Sequence, residues 1–378
     1  MPRFLALVLL LHAYIAWRLL PDMPFGAPAL VATSLVLLLT AALMPLGMRA
    51  RRLRGLAVHE RLAGGAMIAA GMFSSVFVLT ILRDAGLLLA HGIAAWVPGS
   101  GGTASYRSAT AIAVPALAVL FTAVGYVNAR RRARVRAVEV PIPGLPEPLH
   151  GFTIAQITDI HVGPTIRRGD LEAIVDAVNA LGADMIAVTG DVVDGSVREL
   201  AAHTEPLSRL AARHGSYFVT GNHEYYSGVR GWIAEMRRLG LRVLLNEHVV
   251  LRHDGAHVVV AGVTDWSAHH FDATHRSDPQ AAIAGAPADA AVKLLLAHQP
   301  RSAFAAARAG FDLQLSGHTH GGQFLPWNFF VRLQQPFTAG LHRLGALWVY
   351  TSRGTGYWGP PKRFGAPSEI TLLRLVPA

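Results

Sequence analysis

Cysteine is absent from the 378 residues. Structural disulfides, thiolate-ligated zinc, iron–sulfur clusters and a cysteine nucleophile are therefore excluded. Any metal must be held by nitrogen and oxygen ligands. Charge is also scarce: 15% of residues are Asp, Glu, Lys or Arg, against 52% hydrophobic. That balance is too apolar for an ordinary soluble enzyme of this size. Acidic residues are scarcest at the front, where residues 1–137 hold 14 Arg or Lys and 3 Asp or Glu, against 20 and 21 in the remainder. The formal charge of +10 thus belongs to the apolar front. A surface that tracks nucleic-acid phosphates would place it in the remainder, so no nucleic-acid partner is expected. No Walker-type or dinucleotide-type glycine loop is present.

Four apolar segments occupy the front: Phe4 to Leu20, Ala27 to Met48, Ala63 to Leu82 and Ala109 to Val127. Each approaches the ~20 residues needed to cross a hydrocarbon core. The first is long for a signal peptide and lacks a small-residue cleavage site followed by soluble sequence. The third continues past Arg83-Asp84 into a second apolar run ending near Trp96, which reads as an interfacial or outer-loop helix. Arg49, Arg51, Arg52, Arg54 and Arg61 separate segments two and three, and Arg130, Arg131, Arg132, Arg134 and Arg136 follow segment four. The other two loops offer only Arg18, Arg83 and Arg107. Cytoplasmic loops carry the Lys and Arg excess, so four spans place both the N-terminus and the large C-terminal part in the cytoplasm. Pro141, Pro143, Pro146 and Pro148 then read as a stiff linker or an edge strand. The expected division is a transmembrane region over residues 1–137 and a catalytic domain over 138–378.

The C-terminal part alternates β-rich runs with helical patterns, including a helix over Leu171 to Leu181. Five times an apolar run ends in His, Asp or Asn followed by turn residues. In α/β sheets ligands gather at the carboxyl ends of strands. The side chains delivered there are Asp159 and His161, Asp191 and Asp194, Asn222 and His223, His298, and His318 and His320. Asp-x-His and His-x-His each bring two ligands to one metal from one strand-to-loop turn, and flanking glycines permit close backbone approach. An Asp such as Asp191 can bridge two cations. Such a pair clamps the attacking and leaving oxygens of an in-line displacement at phosphorus and makes hydroxide available from a shared water near neutral pH. Singly, each residue is ordinary. Five such runs in this order are not.

Asp159-Ile160-His161, Gly190-Asp191-Val192-Val193-Asp194, Gly221-Asn222-His223-Glu224, His298 and Gly317-His318-Thr319-His320 together resemble the calcineurin-like metallophosphoesterase superfamily. The run Gly317–Gln323 and the closing stretches Tyr350–Gly356 and Pro367–Ile370 resemble its membrane-associated bacterial YkuE-like and YaeI-like branch. The resemblance implies a four-layer αββα sandwich, here preceded by about four transmembrane helices. It implies two divalent metal ions drawn from Mn, Fe, Zn, Co and Ni. One would be held by Asp159, His161, Asp191 and His320, the other by Asp191, Asn222, His298 and His318. His223 would protonate the leaving group, as suits a side chain that titrates near working pH. Asp194 would orient His223 or the loop.

The resulting expectation is a multi-pass protein of a bacterial inner membrane. A metal-bridged hydroxide would hydrolyse a phosphodiester, phosphomonoester or pyrophosphate bond, with lipid esters among the candidates. Soluble nucleotide-type phosphoesters are the alternative substrates. An inactive metal-binding scaffold is the non-enzymatic alternative. Glu224 reads equally as a support of the site or a structural residue. Arg353, Lys362 and Arg363 read as solvated surface, His269 and His270 as an exposed loop, and Trp327, Phe329 and Phe330 as facing lipid or packed.

Overall fold

The computed structural model describes residues 2–50, 57–96 and 104–378. The chain divides into two compact units, Met1–Asn128 with Gly359–Lys362, and Ala129–Trp358 with Arg363–Ala378.

In the first unit four helices, α1 (Pro2–Leu19), α2 (Ala27–Ala50), α3 (Ala57–Trp96) and α4 (Ala104–Arg130), are each long and apolar enough to cross a membrane. Ile15, Leu19, Val76, Ala111, Val114 and Ala118 form its interior. The alanines let helix backbones approach closely, while Leu38, Leu39 and Leu120 face outward. Arg51, Arg52 and Arg54, which carry part of the expected orientation, lie outside the described residues.

The apolar run after Arg83-Asp84 is not a separate helix. It continues α3, whose 40 residues are unbroken. The charged pair is tolerated because every charge finds a partner. Arg83 bonds Asp22, Thr110 Oγ1 (3.0 Å) and the Arg18 carbonyl (3.0 Å), and Arg18 bonds Asp84 (2.8 Å). These partners sit in and just after the last turn of α1 and in the first turns of α4, so the network marks one end of the bundle. The last 12 residues of α3 run roughly 18 Å beyond it at 1.5 Å per residue.

The second unit is built from two six-stranded sheets. Its strands are β1 (Arg134–Ile142), β2 (Thr153–Ile157), β3 (Met185–Val188), β4 (Ser216–Phe218), β5 (Arg242–Val243), β6 (Glu247–His253), β7 (Ala256–Gly262), β8 (Val292–Leu296), β9 (Leu313–Ser316), β10 (Gly340–Leu344), β11 (Leu347–Thr351) and β12 (Glu369–Pro377). The sheet orders are β1-β12-β2-β3-β4-β5 and β10-β11-β9-β8-β7-β6. β2 to β5 run parallel, as do β7, β8, β9 and β11. β1 begins at Arg134, ahead of residue 138, and is an edge strand paired only with β12. On an edge, the donor that Pro141 lacks costs little.

Alternation along the strands sorts side chains into layers. Ile154, Val260, Leu294, Leu296, Leu315 and Leu373 meet between the sheets. Ala155, Ile157, Ile186 and Val188 face outward on the first sheet, against Leu171, Val175 and Val178 of α5 (Arg168–Asn179), with α6 (Val197–Thr204), α7 (Asn222–Ser227) and α8 (Val229–Arg238) also on its side of the chain. Ala261, Leu295 and Val349 of the second sheet pack on Ala303 and Ala306 of a helix over Ala303–Ala309. The result is the four-layer αββα sandwich, and both parallel sets end on one polar rim.

Candidate metal centre

Five of the parallel strands deliver polar residues just past their carboxyl ends. β2 leads to Asp159 and His161, β3 to Asp191 and Asp194, β4 to Asn222 and His223, β8 to His298, and β9 to His318 and His320. The backbone there is unusual. Asp159 (φ 52), His161 (57), Asp191 (52), His318 (70) and His320 (52) all occupy the left-handed region. Asp and His enter it more readily than most residues, but each such position still costs on the order of 1–3 kcal/mol. The turn reverses the strand sharply enough to aim alternate side chains back at one point. Backbone bonds between neighbouring loops hold it: Asp159 N–H donates to the Gly190 carbonyl (3.0 Å) and His161 N–H to the Asp191 carbonyl (3.1 Å).

Three groups of ligand atoms result, each within 4.8 Å: Asp159, His161 and His320; Asp191, His298 and His318; and His161, Asp194 and His223. His161 Nε2 lies 3.1 Å from His320 Nε2, and His298 Nε2 lies 3.2 Å from His318 Nδ1. Asp191 Oδ2 sits 3.1 Å from His298 Nε2 and 4.0 Å from His161 Nε2, between the first two groups. The outer nitrogens set the tautomers. His298 Nδ1–H donates to the Thr189 carbonyl (2.8 Å) and His161 Nδ1–H to Asp194 (3.2 Å), turning both Nε2 lone pairs inward. His320 is the exception. Its Nδ1 faces Arg363 Nη2 at 3.1 Å in place of a carbonyl or carboxylate, while its Nε2 faces Asp159 and His161.

Asn222 Oδ1 is buried and has no hydrogen-bond partner among the described residues. An orphaned acceptor of this kind is costly, and a cation satisfies it. The donor set is nitrogen and oxygen throughout, which suits borderline divalent metals. These residues therefore fit a metal.

The electrostatics separate the histidines. Burial opposes protonation of His223, but the carboxylates of Asp191, Asp194 and Glu224 outweigh it and push the imidazole up to about 9. Burial likewise opposes ionisation of Asp194, but His161 and His223 hold its carboxyl well below the usual range. Burial and the neighbouring His298 push His318 down to about 3, leaving it neutral and able to ligate. His223 is also more open than its neighbours, with 13% of its side chain accessible against 1% for His161 and 0% for His298.

Residues 152–322 match the family described as calcineurin-like phosphoesterase. The transmembrane protein with metallophosphoesterase domain of Danio rerio is 38% identical over 315 residues, covering 80% of this chain and 70% of that protein. Its Bos taurus namesake is 39% identical over 308 residues, covering 78% and 69%. The chain belongs to the calcineurin-like phosphoesterase family. The uncharacterized metallophosphoesterase YkuE of Bacillus subtilis is 30% identical over 241 residues, covering 61% of this chain and 81% of that one. Family membership, the ligand groups and four helices of membrane-crossing length make this a membrane-linked, metal-dependent phosphoesterase.

Several supports of the phosphoesterase centre carry no role that the motifs reveal. Glu224 is fully buried, and its carboxylate accepts from the N–H groups of Asp191 (3.0 Å), Val192 (2.8 Å) and Gly221 (2.6 Å), bracing two ligand loops at once. Burial and the nearby Asp191 push that carboxyl up to about 7. Arg363 is buried, not solvated. It donates to the carbonyls of His320 (3.0 Å), Arg353 (2.7 Å) and Ala366 (3.2 Å). Arg353 pairs with Glu369 (3.0 Å). Tyr226 and Trp358 flank His223 edge-on at 5.2 and 5.8 Å, and both are exposed. His270 is exposed and His269 partly so, outside the ligand groups. Trp327, Phe329 and Phe330 are exposed.

Proposed function

We propose that this chain is a dinuclear phosphoesterase. Asp159, His161, Asp191 and His320 would hold one divalent ion, and Asp191, Asn222, His298 and His318 the other. The observation that carries the reading is the placement of Asp191 Oδ2, which faces a histidine of each group. When bound, the ions supply Lewis acidity and a nucleophilic hydroxide at neutral pH. The protein's own groups do the rest. Asp194 accepts from His223 Nδ1, which turns His223 Nε2 toward the cluster, 4.0 Å from Asp191 Oδ2. An imidazolium there stabilises charge developing on a phosphoryl oxygen and gives its proton to the departing alkoxide. Tyr226 and Trp358 stand exposed beside His223, where they would border the leaving group.

The substrate is a phosphate mono- or diester or a pyrophosphate, and membrane linkage favours a lipid ester over a soluble nucleotide. The arginines after α4 favour a cytoplasmic catalytic unit on a bacterial plasma membrane. The test is hydrolysis of bis-p-nitrophenyl and p-nitrophenyl phosphate by detergent-purified protein with added Mn, Zn, Co or Ni, beside Asp191→Ala and His223→Ala. Two ions per chain, and turnover lost in both variants, is the expected result. A single ion per chain would overturn the dinuclear assignment, and turnover surviving Asp191→Ala would overturn the site.

A further inference from the structure

A second feature of the catalytic unit lies outside the metal centre. Trp266, Arg301, Phe304, Arg308, Arg332 and Leu333 line a cavity of about 490 Å³, within the range of ligand sites. No Asp or Glu lines it, although this part of the chain carries as many acids as bases. The Arg301 guanidinium lies over the Trp266 indole at 4.3 Å and donates to the Gln334 carbonyl, which fixes its plane. Arg308 and Arg332 are exposed.

One wall of the cavity continues into an apolar surface. The segment after the His318–His320 loop forms a single turn, Trp327–Val331. Phe329 is 69% exposed, Phe330 53% and Leu333 84%, with Leu325 and Trp327 exposed beside them. Bulky apolar side chains gathered in one short segment mark an interaction surface. Aromatic and leucine side chains next to arginines are the composition of segments that lie in a membrane interface. The arginine fork matches phosphate oxygens, and arginine is weakly hydrated enough to leave water for them.

We propose that residues 325–333 and the adjoining arginine cavity form a lipid-contact surface, with Phe329, Phe330 and Leu333 entering the acyl region and Arg301, Arg308 and Arg332 taking a headgroup phosphate. Charge selects this occupant. A second copy would set one acid-free arginine cluster against another and repel itself, whereas an anionic leaflet attracts each arginine. Leu325 follows His320 after only four residues, so contact here ties the rim of the metal centre to the lipid surface. The proposal depends on membrane linkage and not on which bond the centre hydrolyses.

The absence of cysteine makes the test direct. Full-length Leu333→Cys carries a single environment-sensitive fluorophore in nanodiscs of phosphatidylcholine, with or without phosphatidylglycerol. Doxyl-labelled lipid should quench the label and aqueous iodide should not, while a label at Glu172→Cys shows the reverse. Replacing Arg308 and Arg332 by Gln should abolish the extra lipid quenching that phosphatidylglycerol brings. A label at Phe329→Cys gives the same readout from an independent variant. Iodide quenching without lipid quenching at both positions overturns the proposal. Protection from both quenchers means that protein covers the segment, and overturns it too. Lipid quenching indifferent to phosphatidylglycerol and to the arginines overturns the headgroup assignment. Because the readout needs no turnover, its failure is distinct from failure of the dinuclear reading.

Discussion

Gly221→Ala isolates how closely the ligand loops must approach. A Cβ at Gly221 would stand 2.2 Å from Asp191 Oδ1, 2.6 Å from its amide nitrogen and 2.9 Å from its carboxyl carbon. Ordinary contact begins at 3.4 Å, so the two loops must part by about 1.2 Å, and a displacement near 1 Å at a reacting centre costs on the order of 10²-fold in rate. The backbone itself raises no objection, because Gly221 sits at φ −96, ψ −178. The effect is therefore steric and falls on the carboxylate proposed to bridge the two ions. The expected result is a fall of about 10²-fold in kcat, with stability lowered by about 1–3 kcal/mol from overpacking. The assay is bis-p-nitrophenyl phosphate hydrolysis with added Mn, alongside elemental analysis and thermal unfolding. Gly215→Ala is the control: its φ of +79 is strained for alanine, but nothing lies within 4 Å of the added carbon. It should lower the unfolding midpoint and leave kcat alone. Gly221→Ala with unchanged kcat and metal content would refute the reasoning.

Glu224→Gln replaces two accepting oxygens with one, so at least one of the three N–H groups it braces loses its partner. A loss of about 1–3 kcal/mol is expected, read as a lower unfolding midpoint, and an unchanged midpoint would contradict the bracing role. Asp194→Asn removes the charge that His161 and His223 share. It should lower kcat by about 10²–10³-fold and, because Asp194 also holds His161, weaken metal binding by about 10–100-fold, and an unchanged kcat at saturating metal would contradict its orienting of His223. An impermeant thiol reagent should label Phe25→Cys in intact cells and reach Arg132→Cys only after permeabilisation. The opposite pattern would move the catalytic unit across the membrane. Chelation should abolish turnover, with recovery on adding back a divalent ion.

The strands were legible because burial leaves a pattern, whereas the four-layer sandwich followed only from the resemblance of the motifs. Residues such as Ile154, Ala155, Ile186 and Leu294 occur in short apolar runs of the length and composition of buried strands, and each run stops where its polar cluster begins. The edge position of β1 was half legible, since Pro141 fits a linker and an edge strand equally well. The unbroken α3 was not, because Arg83-Asp84 looks like a break until Asp22 and Arg18 arrive from another helix to neutralise it.

At the metal centre the sequence named side chains and was silent about backbone. Nothing in a pattern of Asp, His and Gly says that Asp159, His161, Asp191, His318 and His320 all sit at positive φ. Five such residues at ~1–3 kcal/mol each would match the whole stability of a typical domain if nothing opposed them. Glu224, Arg363 and the loop-to-loop bonds from Asp159 and His161 are what oppose them here. Arg363 comes from a distant stretch of chain and carries no spacing of its own, and Glu224, though it closes the Gly221–Glu224 motif, bonds backbone that no spacing reveals, which is why Glu224 reads equally as structural and Arg363 as surface. The strain also gives the arrangement its purpose. A relaxed strand end would put Asp159 and His161 on the same face of the sheet but roughly 6.6 Å apart along it, whereas the left-handed turns bring both to one point.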